Sequence, residues 1–93
     1  MTTSTAEVFI TSMPWGLSEQ VSLRDESFGA LAYHHGNRRL VFLKSPELVA
    51  LVRQLHEFES VGDALAALAP PGQSDRYARA LASLHRSGML RGR

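Results

Sequence analysis

A chain of 93 residues, 44% apolar and 20% charged with a formal net charge of +1, is the size of one domain on one small core, which excludes a multi-domain enzyme and leaves no electrostatic footprint for nucleic acid or a membrane surface. The absence of cysteine removes disulfides, thiolate metal sites, cysteine nucleophiles and iron–sulfur clusters, so any radical or redox chemistry belongs to a partner. The N-terminal MTTSTAE has no basic region leading into an apolar one, and no stretch approaches the ~20 apolar residues of a membrane span, so the expectation is a cytoplasmic protein without membrane contact.

Residues 1–13 read as a frayed arm with one apolar patch at Val8, Phe9 and Ile10, pinned by Trp15, ahead of a domain over 14–93. Gln20 to Arg24 alternates polar and apolar, with Val21 and Leu23 on one face, and Asp25-Glu26-Ser27 reads as a polar turn. Phe28 to His34 is the second strand, with Gly29, Leu31 and Tyr33 on one face and Phe28, Ala30 and Ala32 on the other. Gly36-Asn37 supplies residues that tolerate positive φ for a hairpin turn, and a third strand resumes at Arg39.

Helix signals begin at once. Ser45 can cap, Pro46 suits the first helical position, Glu47 suits the positive end of the dipole, and Leu48, Leu51, Val52 and Leu55 share a face to about His56. Ser60 to Asp63 opens a shorter helix with Ala64, Leu65 and Leu68 as its apolar side, and Pro70-Pro71-Gly72 breaks the chain. A third helix runs from Ser74 or Asp75 to about Ser87, with Gly88 as its left-handed stop. Tyr77, Leu81 and Leu84 form its core stripe. One shoulder is Ala80, Ser83 and Ser87, the other Ala78 and Ala82, and Arg79 and Arg86 stand at the back. The fold class expected is α+β, a winged-helix-like three-stranded antiparallel meander followed by three helices.

The third strand, Arg39 to Leu43, is apolar on both faces: Leu40 and Phe42 point one way, Val41 and Leu43 the other. In one arrangement Leu40 and Phe42 pack on the helices while Val41 and Leu43 are covered by the arm or by a second copy, giving a homodimer. In the other, an extended peptide pairs with the strand edge and sends alternate side chains into a groove beside the third helix. Whether the Val41 N–H faces the open edge or the second strand is left open, and a proline there tests it.

No catalytic constellation emerges, and an enzyme is not expected: there is no nucleophile elbow, phosphate loop, metalloprotease helix or carboxylate pair in an apolar setting. Glu26, Glu47, Glu57, Glu59 and Asp63 fall in turns or helix termini, where solvation and capping account for them. His34 and His35 are neighbours on a strand, so they point to opposite faces and do not share one metal ion; no metal or cofactor is expected. His56 and His85 sit near helix C-termini, which suit an imidazolium. Arg38 and Arg39 read either as a solvated pair or as an anchor for an acidic ligand at the strand edge, and Lys44 either works likewise or protects the edge against aggregation.

Three strands followed by three helices resemble the precursor-recognition domains of peptide natural-product pathways, typified by the peptide chaperone of pyrroloquinoline quinone biosynthesis. More specific are Pro14-Trp15-Gly16-Leu17, Val21 to Arg24, Phe28 to Leu31, Tyr33-His34, Arg38 to Leu40, Phe42 to Pro46 and the closing Ser87-Gly88-Met89-Leu90. With these residues the chain is similar, over 14 to 90, to the peptide chaperones of mycofactocin biosynthesis. The resemblance implies a non-catalytic protein that binds the leader of the mycofactocin precursor peptide by strand addition and presents it to a radical S-adenosylmethionine maturase. It implies a site made of Arg39, Leu40, Val41, Phe42 and Leu43 with Arg76, Ala80, Ser83 and Ser87, to which the anchor reading of the strand ends adds Arg38 and Lys44 as peptide-binding candidates.

The competing reading from another class is a winged-helix DNA-binding regulator with the third helix in the major groove and Arg76, Arg79 and Arg86 on phosphates or bases. Against it stand the near-zero net charge and a helix made mostly of Ala, Ser and Leu.

Overall fold

The computed structural model describes residues 14–92. The arm over residues 1–13, with its Val8 to Ile10 patch, lies outside them.

The order is β1 (Trp15–Leu17), β2 (Val21–Glu26), β3 (Gly29–His34), β4 (Leu40–Leu43), α1 (Pro46–Gln54) with a 3-10 turn over Leu55–Glu57, α2 (Val61–Leu68), α3 (Ser74–Arg86) and β5 (Leu90–Gly92). The expected α+β arrangement is present: β2, β3 and β4 form an antiparallel meander in that order, followed by the three helices. In addition, β1 and β5 pair antiparallel, Trp15 opposite Gly92 and Leu17 opposite Leu90, so the two ends of the described chain close on each other. Segments of three residues are too short to carry a periodicity, which is why neither was expected as a strand. Trp15 therefore belongs to the domain itself, with its ring edge-on to His85 at 4.6 Å.

Both hairpin turns shift relative to the sequence reading. Asp25 and Glu26 extend β2, opposite Ala30 and Gly29, and the turn is Ser27-Phe28. Gly29 has φ +148°, and a Cβ built there falls on the Leu43 carbonyl oxygen, so glycine is required where β3 meets the end of β4. At the next hairpin the left-handed residue is Arg38, φ +65°, in place of Gly36 or Asn37, and Arg39 lies before β4. The local hydrogen bonds explain this. His34 Nδ1 accepts from the Gly36 and Asn37 N–H groups and winds the turn, Asn37 Oδ1 accepts from Arg39 N–H, and one left-handed residue is then needed to rejoin the ladder.

The helix starts are as the sequence dictates. Ser45 Oγ accepts from Leu48 N–H at 3.0 Å with Pro46 in the first turn, and Ser60 Oγ accepts from Asp63 N–H at 3.1 Å. The first helix tightens into a 3-10 turn after Gln54, and α3 ends before Gly88 at φ +81°.

The core lies between one sheet face and the helices. It comprises Ala30, Ala32 and Leu43 from the sheet, Val49, Leu51, Val52, Leu55, Val61, Ala64 and Leu65 from the first two helices, Tyr77, Leu81 and Leu84 from α3, and Met89 and Leu90. This corrects the packing expected of the third strand. Val41 and Leu43 face the helices, opposite Ala32 and Ala30, whereas Leu40 and Phe42 lie on the other face, opposite Tyr33 and Leu31, and are 55% and 52% exposed. The reason is steric: alanines at 30 and 32 leave room for helices to sit close to the sheet, and the register carries Val41 and Leu43 to that side.

Candidate functional site

The sheet ends at β4, whose outer edge has no neighbouring strand among the described residues. Which groups face that edge follows from the ladder. His34 N–H donates to the Arg39 carbonyl at 2.9 Å, so this opposed pair bonds across the hairpin. Antiparallel pairs alternate, and Val41 and Leu43 are therefore the β4 residues whose N–H and C=O turn to β3. The N–H and C=O groups of Leu40 and Phe42 turn outward. The side chains of the same two residues are the exposed apolar ones, and the Phe28 ring, 40% exposed, lies 5.7 Å from that of Phe42. Backbone valence and apolar surface are thus offered at the same two positions.

Helix α3 is held beside this edge at both of its ends. Near its start, Tyr77 Oη is 3.0 Å from Ser45 Oγ, so the hydroxyl that caps α1 also joins the two helices immediately after β4. Near its end, Asn37 Nδ2 donates to the Ser87 carbonyl at 3.2 Å, and a Cβ at Gly88 would meet Asn37 Nδ2 at 2.8 Å, so the hairpin tip rests against the helix stop. Since β4 runs from the hairpin tip to Ser45, α3 runs the opposite way alongside it. The groove at this junction has a volume of about 260 Å³ and is lined by Phe42, Lys44, Ser45, Leu48, Arg76, Tyr77 and Ala80.

The residues singled out from sequence divide accordingly. Phe42, Lys44, Arg76 and Ala80 line the groove, and Leu40 lies on the same exposed edge. Arg38 and Arg39 are exposed at the hairpin end of β4, while Ser83 and Ser87 continue the α3 shoulder, Ser83 exposed and Ser87 half-buried with its carbonyl taken by Asn37. Leu43 is buried and Val41 half-buried against the core, so their side chains are structural. Ser45, Leu48 and Tyr77 were read only as cap, helix face and core stripe. Their second role arises from the α3 crossing, which no local pattern encodes.

Among the described residues no three His, Asp or Glu side chains stand close enough to hold a metal ion. His34 braces the hairpin, and His35 Nε2 is 2.8 Å from Ser22 Oγ with its ring edge-on to Tyr33. No helix among the described residues is long and apolar enough to cross a membrane.

An open apolar edge beside a small groove is the kind of surface a binding module offers. Residues 14–91 match the family model of the MftB peptide chaperones, and the chain belongs to that family. It is 41% identical over 93 residues to the peptide chaperone MftB of Mycolicibacterium smegmatis, covering 97% of this chain and 91% of the relative. The peptide chaperone MftB of Mycobacterium ulcerans is 41% identical over 91% of this chain and 79% of its own length, and that of Mycobacterium tuberculosis 40% identical over 82% and 71%. No solved structure matches the chain. The protein is accordingly a peptide chaperone and not an enzyme.

Proposed function

We propose that the chain serves mycofactocin biosynthesis by binding the leader of the precursor peptide as an added strand on the β4 edge and presenting that peptide to a radical S-adenosylmethionine maturase. The observation that carries this reading is the outward direction of the Leu40 and Phe42 backbone groups beside the groove along α3. Each backbone hydrogen bond contributes roughly 0.5–1.5 kcal/mol net. Together with burial of Leu40 and Phe42, this is compatible with a low-micromolar dissociation constant, about −8 kcal/mol. Peptide side chains alternate: one set meets Leu40 and Phe42 on the outer face, and the other enters on the helix side, where Ala80 and Ser83 let a backbone approach.

Calorimetric titration of the leader peptide into the full chain tests the reading, with amide hydrogen exchange followed at Leu40 and Phe42. Binding with selective protection of those two amides is expected. Absence of heat at tens of micromolar peptide rejects it. The same edge can pair with a second copy, and sedimentation at increasing concentration, with and without the peptide, separates that outcome from peptide capture.

A further inference from the structure

Among the described residues, the cations of this near-neutral chain are segregated. Away from the β4 edge, each arginine has an acidic partner: Arg24 with Glu26 at 3.0 Å, Arg53 with Asp25 at 2.7 Å and Arg91 with Glu19 at 3.9 Å. Around the groove none does among the described residues: Arg38 and Arg39 stand at one end of β4, Lys44 at the other and Arg76 across the groove on α3, all four exposed. The other two described cations without an ion pair, Arg79 and Arg86, lie on α3 as well. Acids adjoin these cations in sequence at Glu47 and Asp75. Glu47 Oε1 accepts the Ser45 hydroxyl at 3.2 Å, and Asp75 sits in the first turn of α3 on the side away from Ala80.

We infer that the occupant of the β4 edge is an acidic extended segment, with carboxylates flanking a short alternating apolar stretch. This rests on the strand-addition reading and adds the chemistry of the ligand to it. The spacing follows from β4. Arg39 and Lys44 are five residues apart, about 17 Å at ~3.3 Å per residue, so carboxylates placed about five residues apart on a paired strand reach both ends at once. Between them the edge offers Leu40 and Phe42, which call for apolar residues at alternate positions. Exposed charges of this kind act on encounter rate and selectivity, and salt screens them. They also disfavour basic segments that could otherwise pair with the same backbone, so the cations help determine which strand is accepted.

The test uses the full chain and two probes: the leader peptide of the mycofactocin precursor, and the same peptide with every Asp and Glu replaced by Asn and Gln. Fluorescence anisotropy is measured from 50 to 300 mM salt. The acidic peptide is expected to bind at least tenfold tighter than its amide counterpart at low salt, and this advantage shrinks towards equality at high salt. Replacing Arg38, Arg39 and Arg76 with Gln together removes most of the advantage, while Arg91→Gln, on the far side, leaves it intact. Equal affinity of the two peptides at low salt overturns the inference while strand addition stands. Failure of both to bind overturns strand addition and the inference with it. All three replaced arginines are exposed, so circular dichroism is expected to show the triple variant folded. Should it unfold, the comparison of the two peptides on the unaltered chain decides alone.

Discussion

The two edges of the three-stranded sheet are built in opposite ways. The β2 edge carries Ser22, Arg24, Asp25 and Glu26, with Arg24 paired to Glu26 and Asp25 to Arg53 of α1, a charged border of the kind that discourages further strands. The β4 edge carries Leu40 and Phe42, both more than half exposed, with outward backbone groups and cations only at its ends. One sheet therefore closes one border and leaves the other available. A small domain that needed both borders only for its own stability would protect both, so the asymmetry supports the proposal that β4 receives another chain.

The largest expected effects break the inner side of β4. Val41→Pro removes an N–H that turns to β3 and leaves a carbonyl of the neighbouring strand unsatisfied; urea unfolding is expected to show a loss of about 3 kcal/mol or an unfolded protein. Gly29→Ala drives a Cβ onto the Leu43 carbonyl and is expected to cost about 2–3 kcal/mol in the same measurement.

On the outer side the consequences move from stability to binding. Phe42→Pro removes an outward N–H and an exposed ring, so stability is expected to fall by less than about 1 kcal/mol while the leader peptide binds about tenfold more weakly, roughly 1.4 kcal/mol. A folded Phe42→Pro protein with full affinity would place the ligand elsewhere. The smallest effect belongs to the closed border. Arg24→Gln opens an exposed ion pair and is expected to change stability by no more than about 0.5 kcal/mol, with peptide affinity unaltered.

Much of the fold was legible because its signals are local. Ser45-Pro46-Glu47 and Ser60 are caps whose hydrogen bonds close within three residues, Gly88 is a left-handed stop, and Tyr77, Leu81 and Leu84 repeat at helical spacing. The hairpin details were less so. Gly36-Asn37 carried the compositional signature of the turn, yet the left-handed residue is Arg38, because the His34 imidazole organises the backbone ahead of it. The strands β1 and β5 escaped altogether, since three residues gain their meaning only from a partner more than 70 positions away.

For the candidate site, the excess of apolar surface on β4 was visible in the sequence alone, and so was the abundance of arginine around it. Sequence determined that Leu40 and Phe42 share one face and Val41 and Leu43 the other, because alternation along a strand is a local rule. Only the tertiary structure decided which face the helices cover: Ala30 and Ala32 leave the space they need, and the register with β3 carries Val41 and Leu43 to that side. Only it, likewise, joined Ser45 to Tyr77 and Asn37 to Ser87, so that α3 lies along the open edge. Those contacts link residues 32 and 50 positions apart, and no pattern of neighbours along the chain specifies a distance across it.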